Sequence, residues 1–102
     1  MIFHIVKRAD WEAALAQSAY EPPSLQTEGF IHCSTQSQVS GTAARFFAGQ
    51  PHLLLLTIDE QRLTAPLKWE HPAYDRHDLL FPHIYGPLNI EAVVEVVSLD
   101  QS

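Results

Sequence analysis

The segment at residues 53–58, with the sequence LLLLTI, constrains the fold more than any other part of the chain. It is almost entirely apolar, and its short length and β-branched end are typical of a strand. When apolar residues run continuously along a strand instead of alternating with polar ones, both faces of the strand are covered. We therefore expect a buried strand here, with other elements packed on each side of it.

The order of the remaining elements indicates the fold class. Strands are predicted at residues 2–6 and 30–34, each followed by a helix. Three further strands are predicted with no helix between them, at residues 63–70, 79–85 and 92–99. Such an order is typical of α+β proteins. We expect one domain over residues 1–102: a small mixed β-sheet bent around a cleft, with two helices packed on it.

The two helices are predicted from their first residues. Asp10 is placed to cap the first helix. Thr35 and Gln38 have the spacing of a capping box at the start of the second, along which an apolar stripe runs at helical spacing: Val39, Ala43, Phe46 and Phe47. Two prolines begin a segment at residues 22–29 that we expect to be a polar loop. A second polar loop is predicted at residues 73–78.

The charge balance limits the classes of partner. Six Lys and Arg residues against 12 Asp and Glu residues give a formal net charge of −6. This balance argues against DNA, RNA and anionic membranes, which need clustered cations. The single cysteine, Cys33, excludes an internal disulfide, and we expect neither a signal peptide nor a transit peptide before the first strand. We expect a cytoplasmic protein.

Three histidines lie inside otherwise apolar predicted strands: His4, His32 and His83. Taken singly, each is best explained as a half-buried ring bonded to the backbone. Three of them in separate strands of one small sheet indicate that at least one lines a pocket. Strand alternation also places His83 on the same face as Phe81 and Tyr85. We therefore expect the three histidines to converge, with at least two of them lining one concave site along with Tyr85.

A candidate anion site lies at the predicted strand-to-helix junction of Ser34 and Thr35. The first turn of a helix presents free backbone N–H groups and the positive end of the helix dipole. Arg45 is the cation expected nearest to this site, although a solvated helix charge explains it equally well. Gly86, at the end of a predicted strand, permits close approach of a ligand to the backbone.

Two other chemistries are weighed from the residue types. Cys33 beside a helix start could act as a nucleophile, but it is better explained as a small buried apolar side chain. A zinc site using His4, His32 and His83 is conceivable, which would make the protein a metal-dependent hydrolase. The chain has no paired-ligand spacing such as C-x-x-C or H-x-x-x-H, so we predict no metal ligands.

The segments GFIHCST, LLLL-x-ID, WE and FPHIYGPL occur together over nearly the whole chain. In these motifs the sequence resembles the domain-of-unknown-function 952 family of bacteria and plants. This resemblance implies one domain and assigns no reaction.

A second, more distant resemblance is to the catalytic domain of RNA 2′-phosphotransferases and to the wider ADP-ribosyltransferase fold. It implies an NAD- or nucleotide-binding transferase or glycohydrolase, with NAD as a substrate and no firm cofactor. By this resemblance His4 would hold a ribose, and Tyr85 would be a stacking surface. The nicotinamide would lie beside His32, Ser34 or Thr35. The catalytic acid is open between Glu70 and Glu91, and Glu70 is our choice. A non-catalytic nucleotide-binding module is the alternative.

Overall fold

The computed structural model describes residues 1–71 and 79–99, so the polar loop predicted at 73–78 lies outside the described residues. Within these residues the α-helices are α1 (Arg8–Gln17), α2 (Ser24–Thr27) and α3 (Val39–Phe46). The strands of the same part of the chain are β1 (Ile2–Lys7), β2 (Ala19–Tyr20), β3 (Ile31–His32), β4 (Leu53–Ile58), β5 (Leu67–Glu70), β6 (Phe81–Ile84), β7 (Leu88–Asn89) and β8 (Val93–Ser98). The α+β class is therefore confirmed.

The strands form three small antiparallel sheets, with the orders β1-β4-β8, β2-β7 and β3-β6-β5. The expected single mixed sheet differs from this arrangement. Every pairing among the described residues is antiparallel, and only β5 and β6 are paired strands that follow one another along the chain. The first and third sheets are joined where Phe3 and Ser34 exchange two backbone hydrogen bonds of 2.8 and 2.7 Å.

Strand β4 has the bounds that its apolar run predicts, and it lies at the centre of the first sheet. Its side chains enter two separate clusters. Leu54, Leu56 and Ile58 pack in the main core, and Leu53 packs with Ile5 and Ala43 in a smaller one. Both faces of the strand are therefore covered, as expected from its continuous apolar sequence.

The helices differ from the prediction in their starts and in their number. Helix α1 begins after Lys7, and Asp10 lies in its first turn rather than at its cap. The segment after Pro22 forms the short helix α2, with Pro23 at its N-cap, where a polar loop was predicted. The capping box of Thr35 and Gln38 is confirmed; it begins a 3₁₀ turn at Gln36–Gln38 that leads into α3.

Candidate functional site

A cavity of about 690 Å³ opens between the first sheet, the third sheet and helix α3. Its size is typical of small-molecule sites. The residues used below that line it are His4, Tyr20, Glu28, Phe30, His32, Ser34, Thr42, Glu70, His71, Phe81, His83 and Tyr85. The three histidines predicted to converge, together with Tyr85 and Glu70, therefore meet at one concave site.

One face of the β3-β6-β5 sheet forms a wall of this cavity. Phe81, His83 and Tyr85 alternate along the chain on that face, as predicted. His32 is the antiparallel partner of His83, and Glu70 is the partner of Phe81, so both are on the same face. The opposite face carries Ile31, Cys33 and Ile84 into the main core. A single alternating pattern thus divides this sheet into a core face and a polar, aromatic site face.

Glu70, His83 and Tyr85 form a hydrogen-bonded network on this wall. His83 Nδ1 lies 2.9 Å from Glu70 Oε1, and the Tyr85 hydroxyl donates to the same oxygen over 2.5 Å. The hydrogen bond from Tyr85, followed by that from His83, holds the pKa of Glu70 below its usual range, and the same contact raises the pKa of Tyr85. Glu70 is therefore ionised at neutral pH and accepts both bonds.

This network determines which nitrogen of His83 carries the hydrogen. Because ionised Glu70 only accepts, Nδ1 of His83 is the donor, and in the neutral form of such a ring the lone pair is on Nε2. Nε2 has no hydrogen-bond partner within residues 1–71 and 79–99. The His83 ring is 3% exposed and stacks on Phe30 with the centroids 4.1 Å apart. The ring is therefore fixed, with a basic nitrogen available to a ligand.

A second carboxylate holds the neighbouring histidine. Glu28 Oε2 lies 2.9 Å from His32 Nε2, and the ring centroids of His32 and His83 are 5.4 Å apart. Phe30 contacts both rings. His32 is exposed, whereas His83 is buried.

His4 lines the cavity, but its ring nitrogens are already used. Nδ1 lies 2.6 Å from the His32 carbonyl oxygen, so it donates there, and Nε2 accepts from the Tyr20 hydroxyl over 2.9 Å. Burial lowers the pKa of His4 to about 4 and raises that of Tyr20. The role expected for His4, a hydrogen bond to a ribose hydroxyl, would require breaking one of these two contacts.

The candidate ligand-binding residues are divided between this cavity and other places. Ser34 lines the cavity, and its Oγ lies 3.0 Å from Thr42 Oγ1. Thr35 and Arg45 are not among the described lining residues. Gly86 lines a smaller pocket, of which Tyr85 is also a wall.

The junction predicted to bind an anion uses several of its own polar groups. The backbone N–H of Thr35 donates to the side-chain Oε1 of Gln38 over 2.9 Å. The backbone N–H of Gln38 donates to the Thr35 carbonyl oxygen over 3.0 Å. The capping box therefore occupies two of the N–H groups that an anion would need.

The structure agrees with the apolar interpretation of Cys33. Its side chain is 3% exposed in the main core, and burial raises the pKa of the thiol well above its ordinary value. A thiol in this state supplies little thiolate, which is the nucleophilic form.

Within residues 1–71 and 79–99, no three His, Cys, Asp or Glu side chains are grouped so as to hold a metal ion. No helix in the same part of the chain is long and apolar enough to cross a bilayer.

Sequence reasoning did not predict several residues of the site, among them Tyr20, Glu28 and Phe30, nor Lys68 beside it. Glu28 lies in the segment that the sequence predicts to be a polar loop, and its place four residues before His32 is the signal that could identify it. Lys68 Nζ lies 4.6 Å from the centroid of the Tyr85 ring. This contact follows from strand pairing, in which Lys68 is the partner of His83.

Comparison with known proteins places the chain in a family. The family described as "Protein of unknown function (DUF952)" matches residues 5–96, so the chain belongs to this family. Its fold is similar to the crystal structure of protein CC0527 from Caulobacter crescentus, a structural genomics target, with 38% identity and a TM-score of 0.87. That match covers 99% of this chain and 87% of the other.

The solution structure of CC0527 is also similar, with 39% identity, a TM-score of 0.82 and coverage of 99% and 85% of the two chains. No curated protein matches the chain.

Proposed function

We propose that this protein binds a nucleotide-like ligand such as NAD in the cavity and cleaves or transfers the ribosyl group at its N-glycosidic bond. The observation that carries this proposal is the ionised Glu70 carboxylate, held at the cavity wall by His83 and Tyr85. Cleavage of an N-glycosidic bond passes through a ribosyl centre with oxocarbenium character. A fixed carboxylate beside that centre stabilises its developing positive charge.

The remainder of the wall fits a flat ring bound beside a sugar. Phe30 is an aromatic surface at the cavity, and a nucleobase or nicotinamide gains stacking energy on such a surface. Both of the hydrogen bonds that Glu70 accepts fall on Oε1, so among the described residues Oε2 is left for the ligand. These features are the basis for preferring glycosyl chemistry to cysteine-based catalysis and to metal-dependent hydrolysis.

His83 supplies the base for hydrolysis. Its Nε2 carries a lone pair because Nδ1–H is bound to Glu70, and this lone pair accepts a proton from water as the water oxygen attacks. Transfer to another hydroxyl group would use the same proton acceptor. Glu70 thus has two roles, one toward the ribosyl centre and one in orienting His83.

We further propose an ADP-ribosyltransferase-like arrangement, since two sheets joined at Phe3 and Ser34 enclose the cavity as a bent sheet encloses a cleft. The net charge of −6 favours a small-molecule ligand over DNA or RNA. The single buried cysteine fits a cytoplasmic setting.

A ligand screen and a turnover assay test the proposal together. NAD, ADP-ribose and mononucleotides are added at millimolar concentration, and the midpoint of thermal unfolding is measured. A ligand present at 100 times its dissociation constant stabilises the folded state by about 2.7 kcal/mol. Release of nicotinamide from NAD is followed by chromatography.

Glu70→Gln separates catalysis from binding. The amide keeps the shape of the side chain and removes its charge, so ligand binding should persist while turnover falls by roughly 100-fold or more. Glu12→Gln is the matched control, since Glu12 is exposed on α1 and is not among the lining residues. Binding without turnover in the wild type would indicate the non-catalytic module instead. Wild-type protein that neither binds nor cleaves any of these compounds would overturn the proposal.

A further inference from the structure

Two carboxylate–histidine pairs lie next to each other in the cavity, and the proposed function uses only one of them. Glu70 holds His83, and Glu28 holds His32, each with a distance of 2.9 Å between nitrogen and oxygen. The two histidines are direct partners across the β3-β6 pairing. Their centroids are 5.4 Å apart, and the rings are nearly perpendicular.

The two carboxylates leave opposite nitrogens available. His83 uses Nδ1 for Glu70, which leaves Nε2. His32 uses Nε2 for Glu28, since a carboxylate only accepts, which leaves Nδ1. No hydrogen bond to either remaining nitrogen is formed from within residues 1–71 and 79–99. His32 is exposed to solvent at the cavity.

We infer that His32 is the general acid for the leaving group, while His83 is the base, and that the substrate is a purine riboside. This inference rests on the proposed function and deepens it. Nicotinamide leaves NAD as a neutral molecule and needs no proton. A purine leaves its riboside as an anion unless it is protonated, so a second histidine that donates a proton is useful for a substrate of that class.

The step is balanced in protons and electrons. His83 Nε2 removes a proton from water, and the water oxygen forms a bond to the ribosyl C1′ atom. The bond from C1′ to the base nitrogen breaks, and its electron pair goes to the purine, which takes a proton from Nδ1 of protonated His32. The products are ribose and free purine. A proton then passes through solvent from His83 to His32, which restores the starting state.

The test compares substrates that differ only in whether the leaving group needs a proton. Inosine carries a purine, whereas p-nitrophenyl β-D-ribofuranoside releases a stable anion. For His32→Gln we expect kcat/KM on inosine to fall by about 100-fold or more, and kcat/KM on the nitrophenyl riboside to change by less than about threefold. For His83→Gln we expect large losses on both substrates.

Glu28 acts through His32 as a positioning residue, so Glu28→Gln should show the same selectivity as His32→Gln with a smaller loss. Glu21→Gln is its matched control, because Glu21 is exposed in the same segment and is not among the lining residues. Both His32 and Glu28 are exposed, so these variants should fold, which circular dichroism checks.

The outcomes separate this inference from the proposed function. Equal losses of His32→Gln on both substrates, or no loss on inosine, would overturn the acid role of His32. A wild-type protein that cleaves NAD or the nitrophenyl riboside but not inosine would overturn the substrate class and leave the proposed function standing. A wild-type protein that cleaves none of the three would overturn both.

Discussion

The Tyr85 hydroxyl donates to Glu70 Oε1 over 2.5 Å, and this bond is the largest cause of the lowered pKa of Glu70. The same oxygen also accepts from the buried His83 ring. Glu70 thus lies between the half-buried Tyr85 ring and the buried His83 ring, and its charge depends on both neighbours.

Tyr85→Phe tests this dependence directly. Removing the hydroxyl should raise the pKa of Glu70 toward the ordinary value for glutamate, because the ionised carboxylate loses a hydrogen-bond donor. NMR titration of the Glu70 side-chain carboxyl measures the change. Tyr20→Phe is the control, since Tyr20 bonds His4 rather than Glu70. An unaltered pKa in Tyr85→Phe would contradict the role assigned to this bond.

His4 should make the stability of the protein fall at acidic pH. Its folded pKa of about 4 lies below the ordinary histidine value of 6.5, so the unfolded chain binds more protons between these values. The free energy of unfolding that this pKa difference contributes is fully present above pH 6.5 and is lost as the pH falls toward 4. The wild type should lose at most about 3.5 kcal/mol relative to His4→Gln over this range, since one pKa unit is about 1.4 kcal/mol.

Urea unfolding of both proteins at pH 7 and at several lower values measures this difference. His52→Asn controls for the loss of one imidazole, because His52 is exposed and its φ of 60° is one that asparagine tolerates. A constant difference between the wild type and His4→Gln would show that the ring is not protected from protonation.

Two glycines should respond in opposite ways to replacement by alanine. At Gly86, φ is +154° and an added Cβ would lie 2.9 Å from Ala65 Cβ. Gly86→Ala should therefore lower the free energy of unfolding by more than about 1 kcal/mol. At Gly41, in helix α3, an added Cβ meets nothing within 4 Å. Gly41→Ala should stabilise the protein by roughly 0.5–1 kcal/mol. Thermal and urea unfolding of the pair check both signs.

Thr35→Ala should cost about 1 kcal/mol through loss of the capping box, as is typical of caps. Ser40→Ala is the control, because Ser40 is exposed inside the same helix and caps nothing. Ligand affinity should be unchanged in Thr35→Ala, since Thr35 is not among the described lining residues. Weaker binding of a phosphate-bearing ligand in this variant would instead support the anion site predicted at the junction.

The elements that sequence reasoning placed well have strong local patterns. The continuous apolar run predicted the bounds of β4, and alternation predicted that His83 and Tyr85 share a face. The convergence of three histidines followed from their positions in apolar strands. In each case a short-range pattern of apolar residues was enough to predict the element or the face.

The partners of these histidines could not be predicted in the same way. Glu28 reaches His32 because Pro23 begins a short helix, where prolines in series favoured a loop. The pairing of β5 with β6 brings Glu70 next to His83, although the two residues are not neighbours in the sequence. The hydrogen bond between His4 Nε2 and the Tyr20 hydroxyl joins residues that are 16 positions apart in the chain. Such contacts are set by tertiary packing, which local propensity does not record.

The link between Phe3 and Ser34 consists of backbone hydrogen bonds alone. The two walls of the cavity are therefore held together at this point by groups that nearly every amino acid supplies. Substitutions at either position should leave the joint intact, with proline as the exception because it lacks the N–H donor. Variation of these two residues among related proteins would therefore be compatible with an unchanged joint between the two sheets.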